Sequence, residues 1–166
     1  MTGLDVNKDR LLEVALIITD IDLNELDSID SLYIGTSKQV LDAMPEWHQE
    51  HFTANGLIEK CLNSKLTLEQ VDTKLSDFMV KNNIKTGILA GNSIAFDREF
   101  LKKNCPKFMT HLHYRMVDVS AVKVLVSSWY KDTTYFNKQT EHRALSDIKQ
   151  SIDELKYYRE NYFKKK

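Results

Sequence analysis

Cysteine is scarce in this chain: Cys61 and Cys105 are the only two in 166 residues, and their separation matches no metal-ligand spacing. That excludes a disulfide framework and a zinc knuckle, and leaves two buried or half-buried thiols of a reducing compartment. Long apolar runs are missing too. None approaches the ~18 residues that span a bilayer, so no membrane partner is expected. The first residues show neither a charged-then-apolar signal pattern nor an Arg-rich transit segment. An excess of positive charge is also lacking, since 23 Lys and Arg face 24 Asp and Glu. A near-neutral chain is poorly suited to gripping long duplex nucleic acid through a basic face, although a short anionic substrate in one local site remains open. There is no internal repeat, low-complexity tract or domain linker. The closing Phe163-Lys164-Lys165-Lys166 reads as a solvated, frayed end.

What is present suits a single domain over residues 1–166. A hydrophobic content of 42% is enough for a real core. Residues 11–19 carry Leu12, Val14, Ala15, Leu16, Ile17 and Ile18 almost without interruption, which predicts a buried strand. Leu32-Tyr33-Ile34 reads as its antiparallel return. Ser37 opens a helical stretch that Pro45 breaks, and a second short helix from Glu46 ends at Asn55-Gly56. Thr67-Leu68-Glu69-Gln70 is a capping-box pattern, followed by Val71, Leu75, Phe78 and Met79 at helical spacing. Residues 87–91 form a short apolar strand, with Asn92 or Ser93 as the cap of the next helix. Another strand is expected over 113–117, then a helix over 119–129 with Val122, Leu125 and Val126 inward. Residues 131–140 read as a polar connection, and a last helix from about Arg143 to Tyr162 puts Ile148, Ile152, Leu155 and Tyr158 on one stripe. Strands alternating with helices imply an α/β fold with a partly parallel, covered sheet.

The chemistry concentrates in Glu141-His142-Arg143-Ala144-Leu145-Ser146-Asp147 and in Gly91-Asn92-Ser93-Ile94-Ala95-Phe96-Asp97. His142 and Asp147 stand five positions apart, roughly 140° around a helix, so they share no helical face. They cooperate only if His142 precedes the helix and Asp147 lies one turn inside it. Asp97 follows a strand end, where α/β folds gather ligand groups. Two carboxylates on separate elements and an imidazole suit Mg²⁺ or Mn²⁺ on oxygen ligands, with His142 free to take a proton from water. Two ions about 4 Å apart would serve phosphodiester cleavage, but need three or four carboxylates. Plainer readings stay open: either aspartate can decorate a helix's first turn, and His142 can be a capping or surface residue. A zinc hydrolase on His111, His113 and His142 is a weaker alternative, because no HExxH-type helix accompanies them.

Several ordered segments carry a resemblance. Arg10-Leu11-Leu12-Glu13-Val14-Ala15, Thr53-Ala54-Asn55-Gly56-Leu57, Gly91-Asn92-Ser93-Ile94, His113-Tyr114-Arg115-Met116-Val117-Asp118-Val119-Ser120 and His142-Arg143-Ala144-Leu145-Ser146-Asp147 together resemble the oligoribonuclease family. The likeness runs from Met1 to Glu160. It implies a ribonuclease-H-like mixed sheet flanked by helices and a DEDDh-type 3′-to-5′ exoribonuclease acting on short single-stranded oligoribonucleotides. It further implies Asp97 and Asp147 as metal ligands in a two-metal site and His142 as general base. Leu4 and Trp47 resemble the wedges that grip the bases. Ser93, Arg115 and Ser120 resemble a cap around a 5′-phosphate, and Tyr114 a group that reaches the neighbouring subunit of a homodimer. The expected compartment is intracellular, mitochondrial or cytoplasmic.

The chain departs from the family pattern in two places. The family's Asp-x-Glu stands immediately before Met-Thr-Gly-Leu-Asp, and here Met1 opens that motif. Asp5 and Asp9 lie downstream and are not expected to replace the missing pair. The family's first strand, central between residues 11–19 and 87–91, is expected to be missing with them, leaving an open slot, low stability and weak or no activity. A non-catalytic protein that binds short RNA or dimerises is the alternative. The second departure is Phe52, where the family usually has histidine; His51 lies one place earlier.

Overall fold

The computed structural model describes residues 1–130, 136–137 and 142–164. Most of the connection read over 131–140 lies outside these residues, as do Glu141, Lys165 and Lys166. Strand β1 (Glu13–Thr19) turns back into β2 (Glu25–Tyr33) as an antiparallel hairpin, with Glu13 opposite Tyr33 and Ile17 opposite Ser28. The Asp20 carboxylate accepts the N–H groups of Asp22 and Asn24 and so closes the turn. The return strand is longer than its apolar residues suggested, because Glu25, Leu26 and Asp30 face solvent.

Three short helices follow, α1 (Lys38–Asp42), α2 (Glu46–Ala54) and α3 (Leu57–Asn63). The last begins right after Gly56, whose φ of +75° is one that glycine reaches without strain. Helix α4 (Leu68–Lys81) starts on the full capping box, with both Thr67 and Gln70 bonds made. Its inner face buries Val71, Leu75, Phe78 and Met79. Asp72 is buried on the same helix, its carboxylate accepting the N–H groups of Lys107 and Phe108. Those are orphan donors at the start of α6 (Pro106–Met109), so a buried charge and a helix terminus satisfy each other.

The second pair of strands, β3 (Gly87–Gly91) and β4 (Leu112–Asp118), is parallel. Between them runs α5 (Ile94–Asn104), and after β4 come α7 (Val119–Trp129) and α8 (Ala144–Tyr162). The result is α/β, with helices flanking small sheets. The main core joins Leu11, Ile34, Val71, Leu75, Leu89, Phe100 and Phe108. A second cluster of Leu12, Leu41, Met44, Phe52, Leu57 and Cys61 sits among α1–α3. A third, around Val119, Val126 and Tyr158, holds α7 to α8. Both cysteines are buried and free.

Among the described residues the strands form two separate two-stranded sheets, β1 with β2 and β3 with β4. Two cavities, of about 460 and 250 Å³, are each lined by residues of both β1 and β3. Helix α8 bridges the gap by packing on both strands. No helix among the described residues is long and apolar enough to cross a membrane.

Candidate active site

The larger cavity collects the residues that the sequence offers as candidates for chemistry. Asp97 lies in the first turn of α5, Asp147 in the first turn of α8, and His142 two residues ahead of α8. All three line this cavity, together with Leu4 and Trp47. The geometry required of His142 and Asp147 is therefore present: one precedes the helix and the other is one turn inside. Leu4 and Trp47 are 61% and 46% exposed, so each offers apolar surface to a ligand rather than filling the core.

Burial raises the Asp97 carboxyl above its ordinary value, offset in part by its own backbone N–H and by the Met1 amino group. Such a carboxylate gains from a cation. Asp97 and Asp147 bring two carboxylates to the lining of the one cavity, oxygen donors of the kind that hydrated divalent ions accept. Among the described residues no three Asp, Glu, His or Cys side chains are grouped closely enough to hold a metal, so a two-ion centre does not fit this set. Asp5 and Asp9 do not add to it. Asp9 accepts from the Thr2 hydroxyl and the Asp5 N–H, and Asp5 from the Asn7 N–H, which makes them parts of a local turn. Gly3 belongs to that turn, since a Cβ there would lie 2.5 Å from the Asp9 carboxylate.

His142 has a left-handed backbone, φ +52°, which is uncommon for a residue with a side chain. Its ring meets Trp47 edge to face at 5.0 Å and His51 at 5.9 Å, while Trp47 and His51 stack at 4.0 Å. Phe52 points instead into the second core cluster. His51, one place earlier, stacks on Trp47, which His48 also meets edge to face at 5.1 Å. Burial, and secondarily the charge of the Met1 amino group, lower the neighbouring His48 imidazole below its ordinary value.

A second polar cluster ties β3 to β4. The Asp118 carboxylate caps α7 by accepting the Ser120 N–H at 2.9 Å and also accepts the Ser93 N–H at 2.9 Å. The Ser93 and Ser120 hydroxyls lie 3.2 Å apart. Ser93 does not cap α5 with its side chain as expected, because at φ +51° its hydroxyl turns towards Ser120 instead. The Asn92 amide donates to Glu154, whose other oxygen accepts the Tyr158 hydroxyl. Tyr114 and Arg115 stand apart from the cavity, on exposed β4, with the guanidinium 5.2 Å from the tyrosine ring centre. The zinc alternative loses its footing, since His111 bonds the Ser76 hydroxyl and His113 accepts the Arg115 N–H.

A family model described as Exonuclease matches residues 1–155. The mouse protein named "Oligoribonuclease, mitochondrial" is 45% identical over 170 residues, covering 100% of this chain and 71% of its own length. The chain belongs to the oligoribonuclease family of exonucleases. A "Probable oligoribonuclease" of Dictyostelium discoideum is 46% identical over 99% of this chain and 87% of its own length. An "Oligoribonuclease" of Nitrosomonas europaea is 41% identical over 98% of this chain and 91% of its own.

Family membership does not point to every residue at the cavity. Glu13, Tyr33, Asn55 and Arg143 form a network behind His142 that motif reading passed over. A signal existed: Glu13 is a lone charge in an apolar strand, and a buried carboxylate demands a partner.

Proposed function

We propose that the chain is a single-domain member of a 3′-to-5′ exoribonuclease lineage that hydrolyses short single-stranded oligoribonucleotides, dinucleotides among them, to mononucleotides. The observation that supports this most is the convergence of Asp97, Asp147 and His142 on one cavity whose exposed lining includes Leu4 and Trp47. Leu4 and Trp47 grip the bases. A base stacked on such a platform gains ~1–3 kcal/mol whatever its identity. His142 accepts the proton of the attacking water. Asp97 and Asp147 hold the divalent ion, Mg²⁺ or Mn²⁺, which when bound supplies positive charge to the reacting phosphate oxygens. Ser93, Ser120 and Arg115 receive a 5′-phosphate and so limit substrate length, the guanidinium being suited to an anion's paired oxygens.

Two further parts belong to the proposal. Tyr114, Val124, Leu125 and Trp129 are exposed apolar groups on β4 and α7, fit for the contact face of a homodimer in which Tyr114 reaches the second site. An intracellular home, mitochondrial or cytoplasmic, accords with a mouse relative named mitochondrial and a bacterial relative.

The test is incubation with a 5′-phosphorylated diribonucleotide, with and without Mg²⁺ or Mn²⁺, followed by chromatography. Slow metal-dependent release of mononucleotides is expected. Binding without product in either metal would mark a non-catalytic binder instead. Asp97→Asn and Asp147→Asn should each abolish Mg²⁺ binding measured by calorimetry.

A further inference from the structure

Glu13 lies on β1 with its carboxylate side chain only 4% exposed. Left alone there, the charge would be costly, and removing one partner of such a pair strands the other. Arg143 meets it with Nε 3.3 Å from both oxygens and Nη2 3.1 Å from Oε1. The Ala144 N–H, an orphan donor at the start of α8, gives its proton to Glu13 Oε2 at 3.1 Å. The guanidinium has further acceptors, the Asn55 carbonyl at 3.1 Å and the Tyr33 hydroxyl. The Asn55 side chain in turn donates to the His142 carbonyl at 3.4 Å.

His142 is thus caught between two sets of contacts. Its carbonyl and the next two residues are bonded to β1, β2 and the end of α2. Its ring rests against Trp47 and His51. A left-handed backbone at a residue bearing a side chain is strained and persists where neighbours over-determine it. The fork of Arg143 and the buried carboxylate of Glu13 are that determination.

We infer that the Glu13–Arg143 pair is a positioning device: it fixes the left-handed turn at His142 and thereby holds the imidazole in the cavity against Trp47. Both oxygens of Glu13 are engaged by Arg143 and the Ala144 N–H, so the pair acts through His142. The inference deepens the reading of His142 as the base and rests on it for its catalytic meaning, but its geometry is tested separately.

The experiment is proton NMR on the full chain without added metal. It reads the His142 ring signals, assigned with His142→Gln, and their cross-relaxation with Trp47. Arg143→Lys keeps the charge but loses the fork, and Glu13→Gln keeps the shape but loses the charge. Both should abolish the His142–Trp47 cross-peaks while those within the Phe100–Phe108 core persist. Retained His142–Trp47 peaks in both folded variants would overturn the proposal. Should either variant fail to fold, Asn55→Asp decides, since it removes the amide N–H that holds the His142 carbonyl and keeps an oxygen for the Leu57 N–H. Weakened peaks there support the device, and unchanged peaks refute it. A nuclease assay in parallel separates the two readings. Unaltered turnover in His142→Ala would sink the base assignment and leave the positioning result standing.

Discussion

Two residues with left-handed backbones stand just ahead of helices that carry a candidate ligand. His142 precedes α8 with Asp147, and Ser93 precedes α5 with Asp97. The conformations are nearly the same, φ +52° and +51°, but the restraints differ. At His142 the restraint is a largely buried ion pair, with Arg143 and Glu13 side chains 19% and 4% exposed. At Ser93 it is the Asp118 carboxylate, accepting two backbone N–H groups, with the Ser120 hydroxyl beside it, in a more open setting. The first restraint is all or nothing, because neither charge tolerates solitude in a low-dielectric interior. The second is graded, since water can replace a lost hydrogen bond at an exposed amide. The side of the cavity that carries His142 is thus held by the interaction that costs more to break.

The largest effect should come from the histidine itself. His142→Ala is expected to lower dinucleotide turnover by ~10²–10⁴-fold, as loss of a general base does, with Mg²⁺ binding unchanged in calorimetry. Equal loss in Ser93→Ala would erase the contrast between the two sides. Next is Arg143→Met, which strands Glu13 and should cost roughly 3–5 kcal/mol in urea unfolding. Asp118→Ala, the matching cut on the other side, should cost less, about 1.5–3 kcal/mol by the same measurement. An Asp118 variant destabilised as much as the Arg143 variant would show that the graded restraint is not graded.

The smallest effect near neutrality is that of pH. Burial pushes the Cys61 thiol up to about 11 and Cys105 up to about 12, from an ordinary 9.0. Above pH 9 the unfolded chain gives up thiol protons that the folded one retains. The unfolded state then binds fewer protons, so stability falls as pH rises. The loss should begin near pH 9 and continue through pH 11–12, read as a falling urea midpoint. It should be absent between pH 6 and 8.

Sequence periodicity revealed the parts of the fold in which one face is apolar and the other is not. The run at residues 13–19, the capping box at Thr67, the strand at 87–91 and the stripe of α8 were all legible on that ground. Helix α7 shows where the method stops. Its apolar residues run almost all round it, so periodicity selected Leu125 as inward; Val119 and Val126 fill the core and Leu125 is 43% exposed. Helices α3 and α6 have seven and four residues, too few turns for a period to register. At the candidate site, the helix starts and the strand end marked Asp97, His142 and Asp147 as candidates, and all three line one cavity. The Glu13–Arg143 pair was not, since its members are 130 positions apart and only the folded chain introduces them. The division into two sheets sets β1 and β3 facing each other across the two cavities.

That division has a consequence for the time course of deuterium labelling. In a strand bonded on one side only, alternate amides point away from the partner, and those of β1 and β3 point towards the cavities between them. Their hydrogens have water as their ready acceptor. The middle of the molecule should therefore take up label early, while amides of α4, wound over the main core, wait for larger openings.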